Sequence, residues 1–288
     1  MFREIANNGK LDLHIHSNAS DGNWTPEELI EEAIKKDLQI ISVTDHDTIA
    51  NVSKAKFLAK KKGLFCVEGV EISSTIQGDL FHVLGYGFSL ENSQLNNLLQ
   101  HNIMLEASNN KLRDETCINT LMEQGHRIDW CEYNDFENGP EPIPGKQFRS
   151  KAIDFLIHVG LCKDRNDFFE RLYSGGTPIG YPKFPHPKEA IQAIKEAGGI
   201  PVLAHPVHRS NKRSLINTLE LFNDMGIEGI ECIYPGINEN DRAFCVKWAH
   251  KYNLITTGGS DCHGSRIKGR ALGTPMITAS MLDLQNFR

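Results

Sequence analysis

"LDLHIHSNASDG", residues 11–22, sets Asp12, His14 and His16 at every second position of a stretch that reads as a strand running into a turn. Side chains alternate across a strand, so all three would face the same way. Imidazoles and a carboxylate lining one face of a buried strand are unfavourable unless something satisfies them.

Outward from this stretch, short apolar strands alternate with helical patterns. "TPEELIEEAIKKDLQ" offers Thr25 as N-cap, Pro26 at the first helical position and Glu28 to close a capping box, with an apolar stripe through Leu29, Ile30, Ala33, Ile34 and Leu38. "IISVTDHD" reads as a second strand, "NVSKAKFLAKKKG" as a helix stopped by Gly63, and "LFCVEGVEIS" and "DLFHVLGYG" as the third and fourth strands. From residue 91 helical periodicity continues without strands. The Pro/Gly-rich "NGPEPIPG" separates a long helical stretch from two more, around 149–159 and 164–173, so residues 91–184 read as a helical insertion. Alternation then resumes through "HPKEAIQAIKEAGG", "IPVLAHP", "GIEGIECIYP", "DRAFCVKWAHKYN" and "LITTGGSDCHG". Seven strands separated mostly by helices predict a parallel α/β sheet, with a closed or nearly closed (β/α) barrel favoured over an open one.

The polar residues are concentrated at the strands. His14 and His16 end the first, Asp45, His46 and Asp47 the second, and Glu68 and Glu71 the third. His82 lies in the fourth, His205 ends "IPVLAHP", Glu231 lies in the next, and Asp261 and His263 end the last. In a barrel the carboxyl ends of the strands share one mouth, so these residues become neighbours. Divalent metals would satisfy such a gathering of imidazoles and carboxylates. The absence of a C-x-x-C pair among seven cysteines argues against a thiolate zinc site, and the donor set suits Mn, Fe or Zn.

A net charge of −6 without a polybasic tract argues against long duplex DNA as a partner. The start "MFREIANNGK" lacks the apolar core of a signal peptide and no apolar run approaches a membrane span, so a cytoplasmic location without a membrane partner is expected.

In order, "DLHIHSNASDG", "ISVTDHDT", "GVEIS", "FHVLGYG", "GGIPVLAHP" and "TTGGSDCHG" resemble the motifs of the polymerase and histidinol phosphatase (PHP) family of metal-dependent phosphoesterases. The likeness runs from residue 11 to about 273, and the insertion looks like that of the branch holding nucleoside 3′,5′-bisphosphate and AMP phosphatases, some of them also 5′-to-3′ exonucleases on short RNA. The resemblance implies a distorted seven-stranded TIM-like barrel, formed by residues 1–90 and 185–288, that holds two to three divalent transition-metal ions. It implies that His14, His16, Glu71 and Asp261 hold one metal, that Glu71 bridges to a second held by His82 and His205, and that Asp21, His46 and His263 hold a third. Glu71, Asp261 and His263 are the residues on which catalysis would centre. Asp12 is read as orienting a histidine, Asp45 and Asp47 as buttressing His46 or, for Asp47, capping a helix, and Cys262 as packing. Glu68 has the opposite strand parity to Glu71 and is left out.

Such a site would hydrolyse a phosphomonoester of a small nucleotide, AMP or a nucleoside 3′,5′-bisphosphate, or the 5′ end of short RNA, by in-line attack of a hydroxide activated by the metals. Phosphate needs cations nearby. "HPVHRSNKR" supplies Arg209 just past His205, and "HGSRIKGR" supplies Arg266, Lys268 and Arg270 just past His263. In the insertion, "FRSKAIDFLIHVG" resembles a family stretch in which an Arg precedes His by two residues; Arg149 matches, and Lys151 stands where His is usual. The insertion is thus expected to form part of the substrate site through Arg149 and Lys151. The alternatives are histidinol-phosphate phosphatase, a metal-dependent amidohydrolase, and a non-catalytic metal-binding module.

Overall fold

The computed structural model describes residues 9–136, 150–172, 181–207, 213–265 and 267–284. They form two compact units, one of residues 1–102 with 183–288 and the other of residues 103–182.

The first unit runs β1 (Lys10–Ile15), α1 (Pro26–Lys35), β2 (Ile40–Val43), α2 (Val52–Lys61), β3 (Phe65–Ile76), β4 (Asp79–Tyr86) and the start of α3 (Ser93–Glu123). The helix expected from "TPEELIEEAIKK" begins where its signals lie: the Glu28 backbone N–H donates to Thr25 Oγ1 at 3.3 Å, and the Thr25 N–H donates to the Glu28 carboxylate at 2.8 Å. Its apolar stripe buries Leu29, Ile30 and Ala33 against Ile15, Ile41 and Val43. Truncating Leu29 to Ala there would cost about 2–5 kcal/mol.

The second unit has its own core. The remainder of α3, α4 (Trp130–Asp135), α5 (Lys151–His158) and α6 (Arg165–Asp167), which continues as one π-helical turn over Phe168–Leu172, bury Ile118, Leu121, Tyr133, Phe155 and Leu156. Ser150 caps α5 and donates to Asp114 at 2.6 Å.

Back in the first unit follow α7 (Pro187–Glu196), β5 (Ile200–Leu203), α8 (Leu215–Asp224), β6 (Gly229–Ile233), α9 (Glu239–Tyr252), β7 (Ile255–Gly258) and β8 (Ile277–Thr278). The strands make one sheet in the order β7-β6-β5-β4-β3-β2-β1-β8. An Ile15–Cys262 bridge and a 2.8 Å bond from the His16 N–H to the Cys262 carbonyl join the ends of β1 and β7, so the sheet curls into a nearly closed barrel. No described helix is long and apolar enough to cross a membrane.

Two expectations need correction. The sheet has eight strands rather than seven, because the two-residue β8 pairs antiparallel with β1. It is also mixed: β4 runs antiparallel to both β3 and β5, while the β1–β2, β2–β3, β5–β6 and β6–β7 pairs are parallel. The cause is the link between β3 and β4. A parallel return needs a crossover of a dozen or more residues, and only Gln77 and Gly78 are present, at φ 54° and 89° as a two-residue hairpin turn requires. Reversing β4 brings its first half, with His82 opposite Ser73, to the level where the parallel strands end.

Candidate metal centre

Glu71, fully buried on β3, is the hub. Its Oε2 lies 3.2 Å from His14 Nε2, His16 Nε2 and His46 Nδ1, and its Oε1 lies 3.0 Å from His82 Nδ1 and 2.9 Å from His205 Nε2. Asp261 Oδ1 stands 3.6 Å from His14 Nε2 and 3.2 Å from His16 Nε2. Asp21 bridges the far side, 3.6 Å from His16 Nδ1 and 3.1 Å from His263 Nε2.

The ligand atoms fall into three groups, each within 4.8 Å: His14, His16, Glu71 and Asp261; His46, Glu71 and His82; and His16, Asp21, His46 and His263. The first has the membership inferred from the motifs. In the second, His46 joins Glu71 and His82, with His205 Nε2 3.3 Å from His82 Nδ1. In the third, His16 adds its Nδ1 to the expected Asp21, His46 and His263.

These residues fit metal ions on their own chemistry. One carboxylate offers about four lone-pair sites and cannot satisfy five imidazoles. His14 Nε2, both ring nitrogens of His16 and Glu71 Oε2 are buried and make no hydrogen bond of acceptable geometry. Left unmatched, each would cost about 1–3 kcal/mol. No thiolate competes, because the Cys262 sulfur faces the Gly264 backbone and packs in the core beside Ile15.

The electrostatics describe a site poised for positive charge. Burial alone would raise the Glu71 carboxyl, but His14, His46 and His82 hold it well below the usual range. For Asp21, burial is likewise outweighed by His263 and His46. Burial works against the His16 imidazolium, yet Asp261 and Glu71 raise its pKa to about 10. His46 goes the other way, pushed down to about 3 by burial, with His16 and His82 adding to the shift against Glu71 and Asp21.

The surrounding chain is shaped to bring these groups together. His205 and Asp261 have φ of 23° and 50°, in the left-handed region that L residues avoid. At Gly259 a Cβ would lie 2.4 Å from the His14 backbone nitrogen and Cβ, so only glycine lets the chain before Asp261 pass so close to β1. Asp12 acts on backbone rather than on an imidazole: it accepts from the Ser260 N–H at 2.9 Å, the Gly273 N–H at 2.8 Å and the His14 N–H at 3.3 Å. Asp45 ties down Ser17 and Ser20, Asp47 takes the Ser73 N–H and Asn102, and the N-cap position of α2 is Asn51 rather than Asp47. Glu68 pairs with Lys56 outside the cluster, as its parity implied.

Of the expected phosphate-binding residues, Arg149, Arg209 and Arg266 lie outside the described residues. Lys151 opens α5, where its ammonium donates to the Asn134 carbonyl at 3.0 Å and stands 4.8 Å over the Tyr133 ring. Among the described residues, Arg270 reaches the cluster, its guanidinium pairing with Asp261 Oδ2. The sequence reading also gave no role to Glu231, which is fully buried on β6 and accepts from His14 Nδ1 at 2.9 Å and from the His205 N–H at 2.8 Å. An acid inside "GIECI" was the available signal.

The PHP domain model matches residues 12–142. Over 257 residues the chain is 29% identical to a 5′-3′ exoribonuclease of Haemophilus influenzae, covering 88% of this chain and 90% of that one. It is 29% identical to a phosphoribosyl 1,2-cyclic phosphate 1,2-diphosphodiesterase of Eggerthella lenta, covering 88% and 94%, and 28% identical to a 3′,5′-nucleoside bisphosphate phosphatase of Chromobacterium violaceum, covering 91% and 90%. A solved Bifidobacterium adolescentis structure, assigned as a metal-dependent phosphoesterase, superposes with a TM-score of 0.74 at 25% identity, covering 95% and 93%. The ordered motifs and the histidine–carboxylate cluster thus accompany a PHP-domain match over residues 12–142, and over most of its length the chain is similar to metal-dependent phosphoesterases.

Proposed function

We propose that this phosphoesterase hydrolyses a phosphomonoester of a small nucleotide, AMP or a nucleoside 3′,5′-bisphosphate, or trims the 5′ end of short RNA. The observation that carries the proposal is the convergence of five imidazoles on Glu71 within 3.2 Å, with Asp261 and Asp21 at its flanks. His14, His16, Glu71 and Asp261 would hold one divalent ion, Glu71, His82 and His205 a second, and Asp21, His46 and His263 a third, with Mn, Fe and Zn the suitable elements. When bound, such ions activate water for in-line attack and neutralise the phosphoryl oxygens.

The chain's own groups do the rest. Arg270 holds Asp261 by one oxygen, leaving the other turned to His14 and His16, and its remaining N–H donors are available to a phosphate. The His263 Nδ1–H donates to the Asp261 carbonyl at 2.8 Å, which leaves Nε2 as the ligating atom. The helical insertion, residues 91–184, is proposed to contribute to substrate binding through Arg149 and Lys151, with Arg209 and Arg266 adding charge; that assignment rests on the motif resemblance.

Incubating manganese-loaded protein with AMP, adenosine 3′,5′-bisphosphate, a ribose 1,2-cyclic phosphate, histidinol phosphate and short 5′-phosphorylated RNA tests the substrate. Turnover greatest on the nucleotides or RNA is expected. Preference for histidinol phosphate or for the cyclic phosphate would overturn the proposal.

A further inference from the structure

Glu231 sits in the middle of β6, where every residue of "GIECI" is buried. A carboxylate there is strongly unfavourable unless its oxygens are matched. Each oxygen has a partner: Oε1 takes His14 Nδ1 at 2.9 Å and Oε2 takes the His205 backbone N–H at 2.8 Å. His14 belongs to the group with His16, Glu71 and Asp261, whereas His205 stands beside His82 of another, its Nε2 3.3 Å from His82 Nδ1.

Both bonds fix how a ligand is presented. Accepting from His14 Nδ1 makes that nitrogen the N–H and leaves the lone pair on Nε2, the atom facing Glu71 at 3.2 Å and Asp261 at 3.6 Å. Without the acceptor, the other tautomer would aim an N–H into the centre. The second bond restrains the backbone of His205, which has a φ of 23° and turns its Nε2 to 2.9 Å from Glu71 Oε1.

We propose that Glu231 is a positioning residue of the metal centre, a single buried carboxylate that sets the tautomer of His14 and the backbone of His205 and so holds ligands of two metal positions in register. This rests on the metal reading above, and zinc is the probe because it is diamagnetic. Glu231→Gln keeps the shape and an acceptor for His14, but sets an amide N–H against the His205 N–H. Equilibrium dialysis should show zinc held roughly 10- to 100-fold more weakly by the variant. In ring ¹⁵N spectra of zinc-loaded wild type, His14, assigned through His14→Gln, should carry its proton on Nδ1.

Zinc affinity of Glu231→Gln within about twofold of wild type, or a His14 proton on Nε2, overturns the inference. Should the variant fail to fold, the wild-type tautomer decides alone. Zinc bound as expected by a protein inactive on every phosphoester sinks the substrate proposal and leaves this one standing.

Discussion

The two ends of the barrel strands are built on opposite terms. At the ends of β1, β5 and β7 and beside Glu71 on β3, buried imidazoles and carboxylates crowd within 3.6 Å, several of their atoms make no acceptable hydrogen bond, and His205 adopts an unfavourable φ of 23°. At the beginnings of β5, β6 and β7 there is a cavity of about 580 Å³ lined by Lys195, Glu228, Tyr252 and Asn253, where Lys195 and Glu228 form a half-exposed ion pair at 2.9 Å. Its turns are relaxed, with glycine at Gly198 and Gly226 and a helix-ending asparagine at Asn253 taking the positive φ. One end carries strain and unmatched charge because chemistry requires it. The other only reverses the chain.

The sharpest way to break that contrast is at its hub. Glu71→Gln keeps the size of the side chain and removes the charge on which five imidazoles converge, so turnover should drop by about three orders of magnitude or more, with retained ellipticity showing an intact fold. Elemental analysis should find fewer bound ions than the two to three expected of wild type. Turnover near that of wild type would remove Glu71 from the centre.

A smaller effect is expected from the phosphate-binding cations. Arg149 can present a planar fork to two oxygens where Lys151 acts as a point charge, so Arg149→Ala should lower kcat/KM by roughly one to three orders of magnitude, about 1.4–4 kcal/mol, with metal content unchanged. Lys151→His should retain activity. If Arg149→Ala leaves kcat/KM intact on every phosphoester, Arg270, already paired with Asp261, becomes the stronger candidate.

The strained end should also answer to pH. With its folded pKa raised to about 10, the metal-free His16 contributes stability that is fully present below the unfolded value near 6.5 and is lost as pH climbs toward 10. Metal binding must displace such protons, so zinc affinity should rise by roughly tenfold per pH unit for each proton released. Thermal melts of chelator-treated protein between pH 7 and 10, and zinc titrations between pH 6 and 8, check the two signs. A flat zinc affinity would mean that the ligands are already deprotonated.

How much of this was legible follows from what each residue signals locally. His14 and His16, and Asp261 and His263, announce themselves by spacing on single segments, and α1 by Thr25 and Glu28. The direction of β4 is equally written, in the two-residue link Gln77–Gly78, too short for a crossover, although a count of strands and helices alone does not show it. Glu231 was harder, since its meaning depends on β6 lying beside β5 and facing His14 on β1, contacts 217 and 26 residues distant in the chain. Arg270 could not be told from Arg266 or Lys268 because a loop has no periodicity to sort its cations. Asp12 was read correctly as a support but assigned to a ring, where the structure has it holding the chain beside Asp261.

The smallest expected effect is the control that the comparison demands. Glu228→Gln at the opposite end removes one member of a half-exposed pair with Lys195, and such pairs contribute about 0–1 kcal/mol because solvent screens them and the side chains lose freedom in forming them. The pair lies where β5 and β6 begin, and Glu228 also takes part in backbone pairing, its N–H donating to the Pro201 carbonyl at 3.0 Å, which the substitution leaves alone. The melting temperature should therefore move by no more than a few degrees, while metal content and kcat/KM stay within about twofold of wild type. Loss of metal or of activity in Glu228→Gln would show that the beginnings of the strands are energetically tied to the cluster at their ends, and the division of labour between the two would have to be abandoned.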